Sequence, residues 1–497
     1  MPVRSSVLAS SLSWERLLPS WPLIIGLFAF AKAIAAPGLL NDPDTYLHIA
    51  AGHWILVHLA LPFADPFSHT MPGAAWVPHE WLAELALGAA FAVGGWGAVK
   101  LLTAVCFAMA IGIFTRLLLR RFDPLVTLII GVATAWLLLP HLLARPHIIA
   151  LPLLVIWCGG LIAARDEGRA PSLWLLPAMT VWANLHGGFM FGLALGLAVG
   201  AEAVILPGNG QTRRSEARRW GFFVLLAGLA ALLTPNGVAG FLQPFALVMM
   251  PSLQGAIIEW QSPRLGEFPM LEFWLLGALL LGLAFGFRLP PLRLLLALGI
   301  VHLALQHIRH ADLLALVVPL TVAASLGGQI GERMRAMPRS DLTRRLEKLA
   351  EPAALPAIVL AAVLMLAVGS SAALRTVDRT GDLATPAAGL AAARALGATE
   401  AVFNTHRYGG YLISEGVPVF IDGRLEMYGD AFFARYLAAS GGDEKALAEL
   451  LDRYRIGWTL LLPRDGAVAV LDRLPGWHRA YADAQAVVHM RDAPAAR

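Results

Sequence analysis

Residues 96–118 decide the fold, and they read W-G-A-V-K-L-L-T-A-V-C-F-A-M-A-I-G-I-F-T-R-L-L. The stretch is apolar almost throughout, and Lys100 and Arg116 are its charged residues. A helix needs about 20 predominantly apolar residues to cross the hydrocarbon core of a bilayer. The stretch meets that length, so it predicts a membrane-spanning helix.

The same criterion of about 20 predominantly apolar residues predicts about eleven spans in the whole chain. They are 20–38, 96–118, 124–140, 148–164, 172–187, 189–207, 220–236, 270–287, 294–308, 312–328 and 354–373. The composition agrees, because 58% of the 497 residues are hydrophobic and 14% are charged, against roughly 25% charged in soluble domains. Segment 81–93 is predicted to be an interfacial helix instead of a full span.

The distribution of Lys and Arg predicts the orientation, because cytoplasmic loops carry an excess of both. With a cytoplasmic N-terminus, the inward segments hold most of the basic residues, from Arg4 and Arg16 to a last loop over 333–348. The outward segments hold few: Arg145, Arg264, Arg309 and, near a helix end, Lys100. Since one missed helix would scramble this asymmetry, it supports the predicted order of the spans.

The character of the chain changes near residue 375. Residues 1–374 are predicted to form the membrane domain, with a first outward loop over 39–95, and 375–497 to form a small soluble α/β domain. Its predicted elements are strands Ala401–Asn404, Val417–Ile421, Trp458–Leu462 and Ala486–Met490 and helices Ala387–Leu396 and Asp443–Tyr454. An odd number of spans places this domain on the non-cytoplasmic side. The predicted class is therefore an α-helical polytopic membrane protein with a C-terminal α/β domain.

Several function classes find no support in the sequence. The chain has no Walker-type phosphate loop, no G-x-G-x-x-G, no C-x-x-C and no H-E-x-x-H. Its two cysteines, Cys106 and Cys158, lie inside apolar runs and are interpreted as small buried hydrophobic residues. The basic residues are spread over inward loops, as topology requires, so no nucleic-acid partner is expected.

The 14 histidines form a pattern of their own, because none falls in a predicted inward loop. Most of them lie in or beside the outward loops of the membrane part. Lys and Arg would suit a membrane interface equally well, yet they are scarce there. The pattern therefore predicts a shared polar cavity at the outward face.

The first outward loop is the richest segment, and it begins N-D-P-D-T-Y-L-H at Asn41. Asp42 and Asp44 flank Pro43, which restricts Asp42 to an extended conformation. A carboxylate beside hydrocarbon is costly unless it is hydrated, paired or metal-bound. Both carboxylates are therefore candidate catalytic groups, although Asp44 could instead cap a helix that starts at Thr45.

His79 and Glu80 form a second polar pair in the same loop, directly after Pro78. Together with Asp42 and Asp44 they could supply a general base or a metal site. Spacing along the sequence does not by itself show that the four residues converge.

The later outward segments add candidate substrate-binding residues. Arg145 is a cation suited to a phosphate or diphosphate, although an interfacial Arg can also snorkel. The other candidates in the membrane part are His147, Asn184, His186, Glu259, Arg309 and His310. In the outer domain, Asp422 and Arg424 follow a predicted strand, where ligand-binding loops gather. The alternative for this pair is a structural turn in which the two side chains bond each other.

Five motifs carry a resemblance to a known family: D-P-D-T-Y-L-H-I-A-A-G, H-E-W-L, W-A-N-L-H-G-G, I-I-E-W-Q-S-P and F-I-D-G-R-L-E-M-Y-G. They are spread over most of the chain and resemble those of bacterial membrane proteins assigned to the GT-C glycosyltransferase superfamily. An acidic first outward loop, many spans and a C-terminal outer domain are also similar to the oligosaccharyltransferase catalytic subunit, the protein mannosyltransferases and the aminoarabinose transferases.

The resemblance implies a glycosyltransferase of the bacterial cytoplasmic membrane. Its donor would be a sugar on a polyprenyl phosphate, and its acceptor a lipid, a glycan or a protein on the non-cytoplasmic face. The role of catalytic base or acceptor-positioning group falls on Asp44, with Asp42 second. The second outward loop holds His141, Arg145 and His147 and no carboxylate, unlike that of several members. If a divalent metal is bound, the candidate ligands are Asp42, Asp44 and His79, and His79, Glu80 or Glu259 would take the place of the missing second-loop carboxylate.

The proposed chemistry agrees with the residue types. A departing lipid phosphate needs a nearby cation, which Arg145 or Arg309 would supply. An acceptor hydroxyl needs a carboxylate base within hydrogen-bond reach. Direct displacement would invert the anomeric carbon.

Two readings from other classes compete with the transferase. A transporter or flippase of a lipid-linked or anionic substrate would use the histidines and acids as an ion path, but transporters place such groups near the midplane and often show repeats. A non-catalytic envelope assembly protein would use the outer domain to bind a partner. Convergence of Asp44, Arg145, His186, Glu259 and Arg309 in one cavity would favour the transferase, and scatter would favour the assembly protein.

Overall fold

The fold is described by a computed structural model that covers residues 17–208, 210–335, 341–373, 377, 379 and 382–492. Arg4, Arg16 and Arg339, on which part of the predicted orientation depends, lie outside these residues. Four helical stretches are long and apolar enough to cross a membrane: Trp81–Leu118, Pro124–His141, Pro146–Asp166 and Ile308–Arg333. The count of about eleven spans is not confirmed, because the other apolar helices are shorter.

The N-terminal part is helical. Its helices are α1 Trp21–Ala35, α2 Asp44–His58, α3 Trp81–Leu118, α4 Pro124–Leu138, α5 Pro146–Asp166, α6 Leu175–Leu185, α7 Phe189–Ile205, α8 Arg213–Ala231, α9 Gly237–Val248, α10 Pro251–Ala256, α11 Pro269–Phe285, α12 Pro291–Gln306, α13 Ala311–Arg335, α14 Asp341–Lys348 and α15 Leu355–Ala373. Buried Ala, Leu, Ile, Phe and Trp side chains of these helices form one apolar core.

Helix α3 is kinked at Gly94 and Gly95. Gly95 has φ 57° and ψ −150°, a conformation that glycine adopts at little cost because it has no Cβ. The predicted boundary between segments 81–93 and 96–118 is therefore confirmed. The interfacial position of the first segment remains a prediction.

Helix α2 lies against the first part of α3 through a pair of glycines. A Cβ on Gly88 would meet the carbonyl carbon of Gly52 at 2.6 Å, so only glycine permits this approach. The contact brings His48 of α2 to 3.6 Å from Glu84 of α3, measured from Nδ1 to Oε1. The approach of the two helices holds the Asp42–Asp44 turn above the start of α3.

The C-terminal domain contains a four-stranded sheet in the order β1-β2-β4-β3. Its strands are β1 Ala401–Asn404, β2 Ile456–Leu461, β3 Trp477–Ala482 and β4 Val487–Arg491, and its helices are α16 Ala387–Ala395, α17 Gly409–Ser414, α18 Leu425–Tyr428, α19 Asp430–Ser440, α20 Glu444–Arg453 and α21 Gly466–Leu471. β1 and β2 are parallel, and the other two pairs are antiparallel. Both predicted helices and three of the four predicted strands are confirmed.

The prediction of a strand at Val417–Ile421 is wrong. This segment is apolar because it is buried against the first loop: the Val419 N–H donates to the Phe67 carbonyl at 3.1 Å, and the Val419 carbonyl accepts from the His69 N–H at 3.0 Å. The strand that the prediction missed, Trp477–Ala482, is largely exposed and therefore lacks an apolar run.

The same contacts fasten the first loop to the C-terminal domain. The Thr70 hydroxyl donates to the Phe420 carbonyl at 2.7 Å, and a ring nitrogen of His69 bonds the Val402 carbonyl at 2.9 Å. The domain consequently lies directly over the Asp42–Asp44 turn. A domain boundary at residue 375 remains a prediction.

Candidate functional site

Arg145 is the centre of the site. Its Nε lies 2.6 Å from Asp42 Oδ2, one terminal nitrogen lies 2.5 Å from Glu259 Oε1, and the other bonds Asp44 Oδ2. The four residues come from three separate segments: the turn that leads into α2 together with its first residue, the residue before α5, and the 3-10 turn Ile258–Trp260. We define them as the Arg145 cluster. One cation thus faces three carboxylates, so the cluster carries an excess of negative charge.

The two aspartates of the cluster differ in their surroundings. Asp42 is 3% exposed, and its Oδ1 accepts the Asp44 backbone N–H at 2.7 Å. Asp44 is itself the first residue of α2 and Pro43 precedes it without a side-chain cap, so the cap predicted for Asp44 is not present. The Asp44 side chain is 22% exposed. Asp44 is therefore the aspartate that a ligand can reach, and Asp42 holds the turn.

Electrostatics separate the two aspartates further. Burial raises the pKa of Asp42 to about 6, although Arg145 acts against the rise. Burial also disfavours the ionised form of Asp44, but Arg145, His406 and His48 outweigh it and hold the pKa of Asp44 below its usual range. Asp44 is consequently ionised at neutral pH.

A second polar group lies around Glu80. Its Oε1 is 3.7 Å from Nε2 of His186 and 3.9 Å from Nε2 of His79. Nδ1 of His186 accepts the Gly188 N–H at 3.1 Å, which leaves the ring proton of a neutral His186 on Nε2, toward Glu80. The ring of His147 follows, with its centroid 6.2 Å from that of His186. His79, Glu80, His147 and His186 thus lie together in the structure.

Arg309 lies on the far side of Glu259. Its guanidinium is 4.4 Å from the ring centroid of Trp260, a cation–π contact. Arg145 lowers the pKa of Glu259 most, burial opposes this effect, and Arg309 lowers the pKa further. Both cations therefore act on one carboxylate. Within the part of the chain that the structure describes, Arg309 makes no ion pair. Its donors are therefore available to an anionic ligand, whereas those of Arg145 are taken.

The residues do not fit a metal site. Asp42 and Asp44, two of the three candidate ligands, already form ion pairs with Arg145. His79 lies with Glu80, and the described ranges contain no group of three His, Cys, Asp or Glu side chains arranged to hold a metal ion. The steps proposed below therefore pass through no metal.

Asp422 and Arg424, predicted as substrate-binding residues, are buried and bonded to each other. Asp422 accepts from the Arg424 backbone and guanidinium at 2.6–2.9 Å and from the Tyr428 hydroxyl at 2.9 Å. Arg424 also pairs with Asp65 of the first loop at 2.6 Å. The structure thus agrees with the alternative of a structural turn, and the turn ties the first loop to the domain.

Two further predicted binding residues are engaged with the protein. Asn184 accepts from the Trp81 indole N–H at 2.7 Å and donates to the carbonyls of Thr180 and Leu233 at 2.8 and 3.0 Å. These contacts use its amide, so it positions Trp81 next to Glu80. Nδ1 of His310 faces the Leu303 carbonyl at 3.2 Å, away from the Arg145 cluster.

Sequence reasoning missed four side chains at the site. His48 and Glu84 lie beneath Asp44, and His406 and Glu426 approach from the C-terminal domain. Burial raises the pKa of Glu426, and His79 opposes the rise, which places Glu426 beside the Glu80 group. Nothing in the sequence around His406 indicates that its ring would lie close enough to Asp44 to act on it electrostatically.

Solved structures resemble this chain in fold. The oligosaccharyltransferase of Archaeoglobus fulgidus in the apo form matches with a TM-score of 0.50 and 12% identity, over 88% of this chain and 69% of that one. ArnT of Cupriavidus metallidurans bound to undecaprenyl phosphate matches with a TM-score of 0.41 and 15% identity, over 94% and 96%. Both are GT-C glycosyltransferases. No family profile matches the chain, and no curated protein does either. The likeness to the oligosaccharyltransferase shows a shared fold, so the predicted resemblance is confirmed at that level.

Proposed function

We propose that this protein is a membrane glycosyltransferase that moves a sugar from a polyprenyl-phosphate donor to a hydroxyl of a lipid, glycan or protein acceptor. The observation that carries the proposal is the placement of an ionised, partly exposed carboxylate, Asp44, near a cation, Arg309, that forms no ion pair among the described residues. Glu259 and Arg145 link the two. A base and an anion-binding group in one site are what transfer from a phosphate leaving group requires.

The reaction assigns one role to each side chain. The acceptor hydroxyl gives its proton to the Asp44 carboxylate while its oxygen bonds the anomeric carbon. The bond from that carbon to the phosphate oxygen breaks, and the lipid phosphate leaves with both electrons of that bond, stabilised by Arg309. Attack opposite to the leaving group inverts the anomeric carbon. Arg145 holds Asp44 in place and is not the phosphate ligand, because three carboxylates occupy it.

The placement of the charged groups supports transfer over transport. Asp44, Arg145 and Glu259 lie before or between the long helices and not at their midpoints, whereas transporters bind near the midplane. The scarcity of Lys and Arg in these segments supports a location on the non-cytoplasmic face, with the C-terminal domain on that side.

The test is Asp44→Asn, measured as sugar transfer from a polyprenyl-phosphate donor in proteoliposomes. Loss of a positioned base lowers the turnover by about 100- to 10,000-fold. The matched control is Asp123→Asn, because Asp123 caps α4 by accepting the Leu125 N–H at 2.9 Å and contacts none of the cluster. If Asp44→Asn transfers sugar at the wild-type rate, Asp44 is not the base.

A further inference from the structure

His406 lies in the C-terminal domain, two residues after the end of β1. Its backbone N–H donates to the Tyr436 hydroxyl at 2.7 Å, and the centroid of its ring lies 6.1 Å from that of Phe433. The short helix His406–Tyr408 then leads directly into α17. These contacts fix the backbone and the ring face while leaving the ring nitrogens free for other partners.

Two glycines press this part of the domain against the Asp44 turn. A Cβ on Gly410 would lie 2.7 Å from the Pro43 carbonyl oxygen, and a Cβ on Gly423 would lie 2.5 Å from Asp44 Oδ1. Contacts this short leave no room for any side chain. The domain is therefore in direct contact with the carboxylate proposed as the base, and His406 belongs to the contacting segment.

The imidazole of His406 has an unused nitrogen. Its Nε2 is buried and has no hydrogen-bond partner among the described residues. Four charged groups act on the ring: Asp44, Asp422, Arg407 and Arg145. Asp422 is already saturated by Arg424 and Tyr428, so Asp44 is the carboxylate left for anything bound at this nitrogen.

A buried polar atom without a partner is unfavourable, because it has lost its water without gaining a hydrogen bond. Burial lowers the pKa of His406, against the pull of Asp44 and Asp422. The ring is therefore neutral at neutral pH and can donate one hydrogen bond and accept another. A neutral imidazole beside an ionised carboxylate suits a hydroxyl, which can give a hydrogen bond to one and receive one from the other.

We propose that His406 contacts the substrate and binds the acceptor hydroxyl next to Asp44. The inference rests on the proposed function, since it concerns the acceptor of that reaction. The hydroxyl oxygen accepts a hydrogen bond from Nε2–H, and the hydroxyl proton points at Asp44, which takes it as the new glycosidic bond forms. His406 keeps its own proton throughout, so the ring orients the acceptor and does not act as the base.

The experiment compares His406→Leu and His406→Gln in the full-length protein. Loss of one hydrogen bond to the acceptor raises the acceptor KM by about tenfold in His406→Leu, with the donor KM unchanged. His406→Gln, which retains a polar amide, recovers most of the affinity. The control is His478→Leu, since His478 is exposed and pairs with Asp492 at 2.6 Å on the far side of the domain. An unchanged acceptor KM in His406→Leu would overturn the inference.

A thermal unfolding measurement separates this inference from the proposed function. Because Nε2 has no hydrogen-bond partner in the described part of the chain, His406→Leu keeps or raises the Tm, whereas a structural histidine would lower it. A fall of several degrees overturns the inference whether or not transfer is observed. If the wild-type protein transfers no sugar from any polyprenyl-phosphate donor, the proposed function fails. A preserved Tm then still supports a histidine held for a ligand.

Discussion

Arg145 and Arg293 each gather carboxylates, and they do so at opposite ends of the helical bundle. Arg145 precedes α5, whereas Arg293 pairs at 2.9 Å with Asp166, the last residue of the same helix. Arg293 also lies 2.7 Å from Glu202 and donates to the Thr321 carbonyl at 3.2 Å. Its side chain is 5% exposed, against 20% for Arg145.

The difference lies in what supplies the partners. Every partner of Arg293 belongs to a helix, and its two carboxylates and one carbonyl leave its guanidinium satisfied. The partners of Arg145 lie in turns or at a helix start, they are one more carboxylate in number, and the Asp44 side chain among them is 22% exposed. The same residue types thus fasten helices where helices supply every partner. Where loops supply the partners and one carboxylate is exposed, they are suited to bind and react.

The largest effect that would test this difference between the two arginines is the loss of stability expected from Arg293→Met. Removing the cation leaves Asp166 with Arg121 at 3.9 Å and Glu202 with Arg165 at 3.2 Å as their remaining cationic partners, so the free energy of unfolding falls by at most about 3–5 kcal/mol. Turnover per folded molecule stays at the wild-type level, because the change lies a full α5 length from Asp44. Chemical unfolding in detergent and transfer normalised to folded protein measure the two quantities.

The control for this variant is Arg264→Met. Arg264 pairs with Glu267 at 3.3 Å, and its side chain is 77% exposed, so its removal changes stability by roughly 0–1 kcal/mol. A loss of turnover in Arg293→Met at preserved stability would contradict the division of the bundle into a fastening end around Arg293 and a reacting end around Arg145.

A smaller effect is expected from Gly423→Ala at the reacting end. The added methyl group would lie 2.5 Å from Asp44 Oδ1, so either the carboxylate or the C-terminal domain must shift. A misplacement of about 1 Å in a reacting group costs roughly 100-fold in rate. Transfer kinetics on the purified variant measure this loss.

The matched glycine is Gly299 of α12, around which an added methyl group meets open space. Gly299→Ala is expected to leave transfer unchanged. Equal kinetics for Gly423→Ala and the wild type would show that the domain does not press on the base in the working protein.

Much of the fold follows from the sequence because it depends on local pattern. Apolar length predicts the long helices, and Gly94–Gly95 separates the two parts of α3 as expected. The residues of the Arg145 cluster were each identified, since charged side chains between apolar runs need a partner. Their mutual pairing was not predictable, because Asp44 and Arg145 are 101 positions apart and no spacing rule relates them.

The failures have physical causes of the same kind. Val417–Ile421 has the composition of a strand, yet its partner is the first loop and not the sheet. Asp422 and Arg424 look like a ligand-binding turn, but they bond each other and Asp65. His406 has no local feature that marks it, and only the approach of two distant segments places it over Asp44.

The smallest expected effect concerns pH, and it would distinguish Asp42 from Asp44. The pKa of Asp42 is about 6 in the folded protein, and that of Asp44 lies below its usual range. As the pH falls through about 6, Asp42 becomes protonated and its ion pair with Arg145 is lost, while Asp44 stays ionised. We expect kcat/KM for transfer to fall by at most about tenfold for each pH unit below that value.

The effect of Asp42 on stability has the opposite sign. A carboxyl whose pKa is raised by folding binds its proton more tightly in the folded state, so its contribution to stability is present at low pH and is lost as the pH rises from about 4 to about 6. Asp42→Asn therefore removes both the fall of kcat/KM below about pH 6 and this dependence of stability on pH, whereas Asp166→Asn, near Arg293, leaves the fall of kcat/KM in place. If kcat/KM still falls below that pH in Asp42→Asn, another group causes the fall, and the Arg145 cluster would lose the distinction between its buried and its reactive aspartate.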